Sequence, residues 1–255
     1  MLGHGEKLWN KENVRNEVDD NIYLNEDRYT NPKEMFKVIG SLIEKNTAAN
    51  EMDILDVGCA TGEFIYYLSS KFKKCKYTGI DISESMLQIA RNKMPSETWQ
   101  CEDIFTVSYV CKKQFDVVLC VGVLQIFDDI EIPINNLLSN VKEGGALYIA
   151  GLFNSHPVDV ITRYRTCKQN NLGWQSGWNI FSTQTYEAIL AEIKSVQWSW
   201  HEFTMPYHIK KTDDPMRTWT EVTEKNSFQL VNGASQNVNI KILEVKKIKD
   251  HLWTR

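Results

Sequence analysis

The chain has 255 residues, 42% hydrophobic and 24% charged, with a net charge of −4. This is the balance of a soluble globular protein with one well-buried domain and room for lid elements, and it gives no electrostatic case for nucleic acid or an anionic membrane. Its six cysteines form no C-x-x-C pair and no zinc-spaced cluster, no apolar run approaches ~18 residues, and no N-terminal apolar segment marks a signal peptide, so a reducing cytoplasm is expected.

Residues 1–30 are polar, interrupted by Trp9, Tyr23, Leu24 and Tyr29. They read as a frayed tail or as a cap over a ligand site, and the spaced aromatics favour the cap. Asn31-Pro32 marks a helix start, and Met35, Phe36, Ile39, Leu42 and Ile43 give that helix an apolar face. The run Ile54-Leu55-Asp56-Val57-Gly58-Cys59-Ala60-Thr61-Gly62-Glu63-Phe64 reads as a buried strand, a glycine turn and the first turn of a second helix. Such a unit opens a nucleotide-binding α/β sheet, with the ligand beyond the carboxyl end of the strand. Gly58 and Gly62 allow a close backbone approach. The dinucleotide pattern G-x-G-x-x-G lacks its middle glycine here, and the Asp56 carboxylate would repel a pyrophosphate. A ligand carrying an ammonium and a sulfonium, as S-adenosylmethionine (SAM) does, would be welcome instead.

Residues 77–81 read as strand two, ending in an acid 23 residues after Gly58. An acid there accepts from ribose hydroxyls, the plainer alternative being a helix-capping acid. Ser83 caps the next helix, which carries Ile82, Met86, Ile89 and Ala90 on one face. Residues 99–105 are strand three and its exit, with Asp103 as a ligand acid or a turn residue. Residues 115–125 are nearly all apolar, as a strand covered on both faces should be. Gly144-Gly145 turns into strand five at 147–153. Residues 154–181 then form an insertion holding Asn154, His156, Arg163, Tyr164, Trp174 and Trp178. Loops past strand ends carry substrate chemistry, and aromatics with arginines suit a polar, flat or anionic substrate. The alternative is a lid packing its own aromatics. A helix at 185–193, strand six at 196–203, a polar excursion at 205–227 and a last strand at 238–245 complete the chain.

In this order the motifs resemble those of the class I SAM-dependent methyltransferases. Asp56-Val57-Gly58-Cys59-Ala60-Thr61-Gly62 is similar to the family's first motif in its D-x-G-C-x-x-G variant. The resemblance implies an α/β, Rossmann-like, doubly wound seven-stranded sheet, mostly parallel with an antiparallel last strand. It divides the chain into an N-terminal cap (1–33) and a methyltransferase domain (34–255) with lid insertions at about 154–181 and 205–227. The cofactor it implies is SAM, with S-adenosylhomocysteine as product. Asp56, Gly58, Cys59 and Gly62 would hold it at the turn and Asp81 at the ribose. Ile82 and Met86 would lie at the adenine, Asp103 at the adenine amino group, the Ile104 backbone at the ring, and Cys120 and Gln125 beyond strand four. Residues 115–126 resemble the family's F-D-x-V-x-x-x-x-V-L-H-H element, but Gln125 and Ile126 stand where many relatives carry histidines. Metal-assisted relatives have an acid after strand four and an Asp-Asn pair after strand five. Cys120-Val121 and Phe153-Asn154 stand there, so no metal is expected. Relatives that methylate bases carry N-P-P-Y or D-P-P-Y where this chain reads Val121-Gly122-Val123-Leu124, so nucleic acid is not the expected partner.

The expected reaction is methyl transfer to an oxygen or nitrogen of a small polar molecule. Tyr29, Asn154, Arg163, Tyr164 and Trp178 are the candidate substrate contacts. His156, following strand five, is the candidate base for an acceptor that must lose a proton. Residues 153–165 resemble methyltransferases of bacterial surface-polysaccharide pathways, which act on sugar or nucleotide-linked intermediates. A SAM-binding module without turnover and an NAD-dependent oxidoreductase are the alternatives.

Overall fold

Apolar runs ending at glycines or acids become strands side by side, and the amphipathic segments between them become helices on both faces. The computed structural model describes residues 27–47, 51–106, 114–165, 167, 173–214 and 216–248. Trp9, Tyr23, Leu24 and Cys111 lie outside them. Chain order is α1 (Asp27–Thr30), α2 (Glu34–Asn46), β1 (Asp53–Val57), α3 (Glu63–Lys71), β2 (Lys76–Asp81), α4 (Glu84–Lys93), β3 (Thr98–Cys101) and β4 (Phe115–Val121). A 3-10 turn (Leu124–Ile126), α5 (Glu131–Ser139), β5 (Val141–Asn154), β6 (Arg163–Tyr164), β7 (Gln175–Ser176), β8 (Phe181–Ser182) and α6 (Thr183–Ala191) follow. The last elements are β9 (Val196–Phe203), β10 (Trp219–Glu221), β11 (Gln229–Val231) and β12 (Asn237–Lys247).

The central strands lie in the order β3-β2-β1-β4-β5-β12, with β9 on the far edge of β12. β1 to β5 are mutually parallel, and β12 runs antiparallel to both β5 and β9. That is the expected Rossmann-like sheet with one reversed strand. The chain winds outward in opposite directions from β1 and β4, so a crevice opens beyond their carboxyl ends. β8, β10 and β11 enlarge the sheet to ten strands.

Alternation assigns each strand residue to one of two cores. Leu55, Val118, Cys120, Ile149 and Leu243 face α5 and α6, which contribute Ile134, Leu137, Tyr186 and Leu190. Ile54, Val117, Leu119, Ala150 and Ile242 face α2, α3 and α4, which contribute Phe36, Ile39, Phe64, Ile65 and Leu87. With helices on both faces, the strands need no polar side, which explains their continuous apolar character.

Two local expectations shift. α2 begins at Glu34, with Lys33 and not Asn31 at its N-cap. β5 begins earlier than residue 147, and its pairing with β4 slips between Phe115 and Val117. The two insertions meet over the end of β5. The first is an antiparallel ribbon with β6 on β7 and a bridge between Val160 and Ile180. Its Ile180 and Trp178 pack with Leu152, Ile209, Leu230 and Val238 in a third apolar cluster. Among the described residues no helix is long and apolar enough to cross a membrane.

Candidate functional site

The turn after β1 is built by backbone geometry. The Gly58 and Cys59 amides donate to the Ile80 carbonyl at 2.7 and 3.0 Å, stitching the turn to the end of β2. Gly58, Ala60 and Gly62 have φ of +77°, +48° and +82°. A Cβ on Gly58 would lie 2.2 Å from Val123, so the loop after β4 presses on the turn. Ala60 holds a left-handed conformation that costs an L-residue about 1–2 kcal/mol. Asp81 Oδ2 offsets this by accepting the Ala60 amide at 2.8 Å.

Asp81 therefore organises the turn from the end of β2. Its Oδ1 accepts the Ser83 amide at 2.9 Å. Burial pushes its carboxyl above the usual range, and the amide hydrogen bonds pull the other way. A carboxylate has about four acceptor sites, so capacity remains for a ligand's hydroxyls. Beside it Ile82 leaves 41% of its surface exposed, an apolar face in solvent at the strand end. Met86 is buried, and its amide donates to the Ser83 hydroxyl in the helix cap. Asp103 accepts the Phe105 amide at 3.0 Å, and Ile104 is buried, its carbonyl accepting from Asn136.

A shallow pocket opens at the end of β1, on the face of α2 and α3. Lys33, Asp56, Gly58, Cys59, Glu63 and Val121 line it. Phe36 and Phe64, also in its wall, stack at 4.2 Å. Asp56 is buried, and burial followed by the charge of Asp81 pushes its carboxyl up to about 7, with Lys33 pulling it back. Glu63 is buried too, with Arg28 Nε at 2.5 Å and Lys33 Nζ at 3.7 Å. Glu63 is already paired with Arg28 and Lys33, which leaves Asp56 as the carboxylate that could face a ligand's positive charge. The Cys59 thiol is raised by burial and serves as a neutral wall.

Several expected residues stand elsewhere. Cys120 is fully buried in the core under α5 and α6, so its side chain meets no ligand. Val121, one position on, points to the other face and lines the pocket. Gln125 does not line the pocket either: its Oε1 accepts the Leu152 amide at 3.4 Å, and its carbonyl accepts the Asn179 amide at 2.7 Å. It ties the loop after β4 to β5 and to the lid. Tyr29 is buried, its hydroxyl donating to the Thr61 carbonyl. Asn154 closes a tight turn, accepting the His156 amide at 3.0 Å and donating to the Val158 carbonyl at 2.8 Å. His156 is exposed on that turn and is not among the pocket's lining residues. Arg163 pairs with Asp128 at 2.5 Å, Tyr164 lies in β6, and Trp178 packs on the lid cluster. Sequence reasoning missed Lys33, Glu63 and Val121 as pocket residues. All three become pocket residues only through packing.

Known proteins share a domain and a fold with the chain. A Methyltransferase domain family matches residues 54–145, the span from β1 into β5. A SAM-dependent methyltransferase from Clostridium acetobutylicum ATCC 824 superposes with a TM-score of 0.58, covering 91% of this chain and 98% of that one at 15% identity. Residues 54–145 thus match a methyltransferase domain, and the fold is that of a SAM-dependent methyltransferase. It is 27% identical to a malonyl-[acyl-carrier protein] O-methyltransferase of Priestia megaterium, over 54% of this chain and 50% of that protein. It is 30% identical to a ubiquinone biosynthesis O-methyltransferase of Coxiella burnetii, over 42% of this chain and 47% of that protein. The chain thus spans about half the length of the curated relatives it matches. The fold is shared with the [4+2]-cyclase SpnF, at a TM-score of 0.56 and 15% identity.

Proposed function

We propose that the chain transfers a methyl group from SAM to an oxygen or nitrogen of a small polar molecule. One observation carries this reading: the buried carboxyl of Asp56 lines the pocket at the end of β1, where a pyrophosphate binder would avoid a carboxylate. When bound, SAM supplies an electrophilic methyl on positive sulfur. The chain's share is to bind and orient. Asp56 offers negative charge to the cationic end, while Glu63 is paired with Arg28. Asp81, set by Ala60 and Ser83, has acceptor capacity for ribose hydroxyls, and Ile82 an apolar face for the base. Holding donor and acceptor in line can remove about 7–11 kcal/mol of barrier.

The acceptor enters from the lid side, under the insertions packed on the end of β5. We read it as a sugar or nucleotide-linked intermediate of surface-polysaccharide synthesis, supported by the polar aromatic ribbon, where Arg165 lies 5.2 Å over the Trp174 ring. A second reading is an acceptor carboxylate, the group that a malonyl acceptor, such as the one in the name of the Priestia megaterium relative, would offer. A carboxylate needs no base, which suits the place of His156 away from the pocket lining. The five cysteines described are all free, in keeping with a reducing cytoplasm.

Single-turnover transfer of label from methyl-labelled SAM into a metabolite extract tests the reaction. Label in a new product supports it. Binding of SAM without transfer to any component would make the chain a SAM-binding module. Binding of NADH in its place would make it an oxidoreductase.

A further inference from the structure

The lid ribbon uses its two indoles differently. Trp178 packs with Leu152, Ile180 and Ile209 in the third apolar cluster. Trp174 keeps 64% of its surface exposed and belongs to none of the three clusters. The register that sets Arg163 opposite Ser176 sets Arg165 opposite Trp174, two residues farther along, and alternation puts all four on one face. Arg165 lies 5.2 Å over the Trp174 ring. Both are exposed, so folding gains little from either. The two arginines differ as well. Arg163 is engaged, with Nη2 at 2.5 Å from Asp128 and Nη1 donating to the Thr162 carbonyl at 3.0 Å. Among the described residues no carboxylate pairs with Arg165.

The inner end of the ribbon is fastened to the loop after β4. There the Asn179 amide donates to the Gln125 carbonyl, its side chain donates to the Phe127 carbonyl, and Arg163 meets Asp128. That loop leaves the strand end where the crevice opens. At about 3.3 Å per residue, Arg165 and Trp174 stand about 7 Å farther out than the Arg163–Asp128 pair. A group held so far along the ribbon is a handle of the acceptor and not its reacting atom. An open indole takes a planar ring by stacking, and a guanidinium without a carboxylate partner takes phosphoryl oxygens in a fork. A ring joined to phosphates is a nucleotide. Resting on the acceptor reading above, we propose that the outer face of the β6–β7 ribbon binds a nucleoside diphosphate carried by the acceptor. The base stacks on the side of Trp174 that Arg165 leaves open, and Arg165 holds the diphosphate.

The test titrates uridine diphosphate, uridine and inorganic pyrophosphate calorimetrically into wild type, Trp174→Ala, Trp174→Phe and Arg165→Gln, with and without saturating S-adenosylhomocysteine. Wild type should bind uridine diphosphate in both conditions, and uridine and pyrophosphate about tenfold more weakly or worse. Trp174→Ala and Arg165→Gln should each lose about tenfold for uridine diphosphate, and Trp174→Phe should keep most of the affinity. S-adenosylhomocysteine affinity should stay within about twofold in every variant, which shows that the fold is intact. Absent binding of uridine diphosphate, or equal affinity in wild type and the variants, would overturn the proposal and leave the methyl-transfer reading standing. Uridine or pyrophosphate binding as tightly as uridine diphosphate would overturn it too, as would competition by S-adenosylhomocysteine, which would place the nucleotide in the cofactor pocket. Failure of S-adenosylhomocysteine to bind wild type would remove the donor assignment instead, and the variants' affinities for uridine diphosphate would still decide the ribbon.

Discussion

The Tyr29 hydroxyl donates to the Thr61 carbonyl at 2.7 Å, joining α1 to the ligand turn across 32 residues. The Tyr29 ring also meets Tyr66 of α3 edge-on at 5.2 Å, and Lys93 Nζ lies 4.7 Å over it. Tyr29 fastens the segment before the sheet to the pocket. Tyr29→Phe should therefore cost about 1 kcal/mol in urea unfolding and weaken donor binding several-fold, with the acceptor KM unchanged. A raised acceptor KM at unaltered donor affinity would return Tyr29 to the substrate contacts.

Asn179 plays the matching part for the lid. Buried, it accepts the Thr162 amide at 2.9 Å and donates to the Phe127 carbonyl at 2.7 Å and to Asp128 at 3.1 Å. Asn179→Ala leaves buried backbone groups without partners, each worth about 1–3 kcal/mol. Stability and turnover should both fall, while donor affinity stays within about twofold because none of these groups lines the pocket. A large loss of donor affinity would show that the lid and the pocket are coupled.

The Asp56 carboxyl, pushed up to about 7 from 3.8, fixes a pH dependence. Its folded pKa is raised, so the fold binds the proton more tightly than the unfolded chain does. The ligand-free protein should lose stability as pH rises from about 4 to about 7, by ~4 kcal/mol at most. Burial of Asp81 acts in the same direction. A cationic ligand favours the ionised carboxylate, so donor affinity should rise over pH 6 to 8. Urea midpoints and calorimetry across that range check both trends, and Asp56→Asn should flatten them. Affinity that falls with rising pH would contradict the charge assignment.

A general base contributes about 10²- to 10⁴-fold to a rate. His156 is exposed on a turn and does not line the pocket, so His156→Ala should keep turnover within about twofold. A hundredfold drop would restore it as the proton acceptor.

The local parts of the site were legible in the sequence and the cross-chain parts were not. Gly58, Gly62 and Asp81 declare themselves because a glycine turn and a strand-end acid are short-range chemistry. β4 follows from a nearly continuous apolar run. At the end of β4 Val121 lines the pocket and Cys120 packs in the core, and an apolar run covered on both faces does not declare which side chain does which. Gln125 and Asn179 are spent on hydrogen bonds between distant segments, which no local pattern encodes. Lys33 and Glu63 lie 30 positions apart and meet only because α2 and α3 pack on the same face of the sheet. The two-residue strands β6, β7 and β8 are too short to carry a periodicity.

Calorimetric titration of S-adenosylhomocysteine and of NADH into wild type and Asp81→Ala tests the central assignment most directly. The account predicts saturable binding of S-adenosylhomocysteine to wild type, a loss of about tenfold or more in Asp81→Ala, and no heat from NADH. Saturation by NADH with no heat from S-adenosylhomocysteine would contradict it.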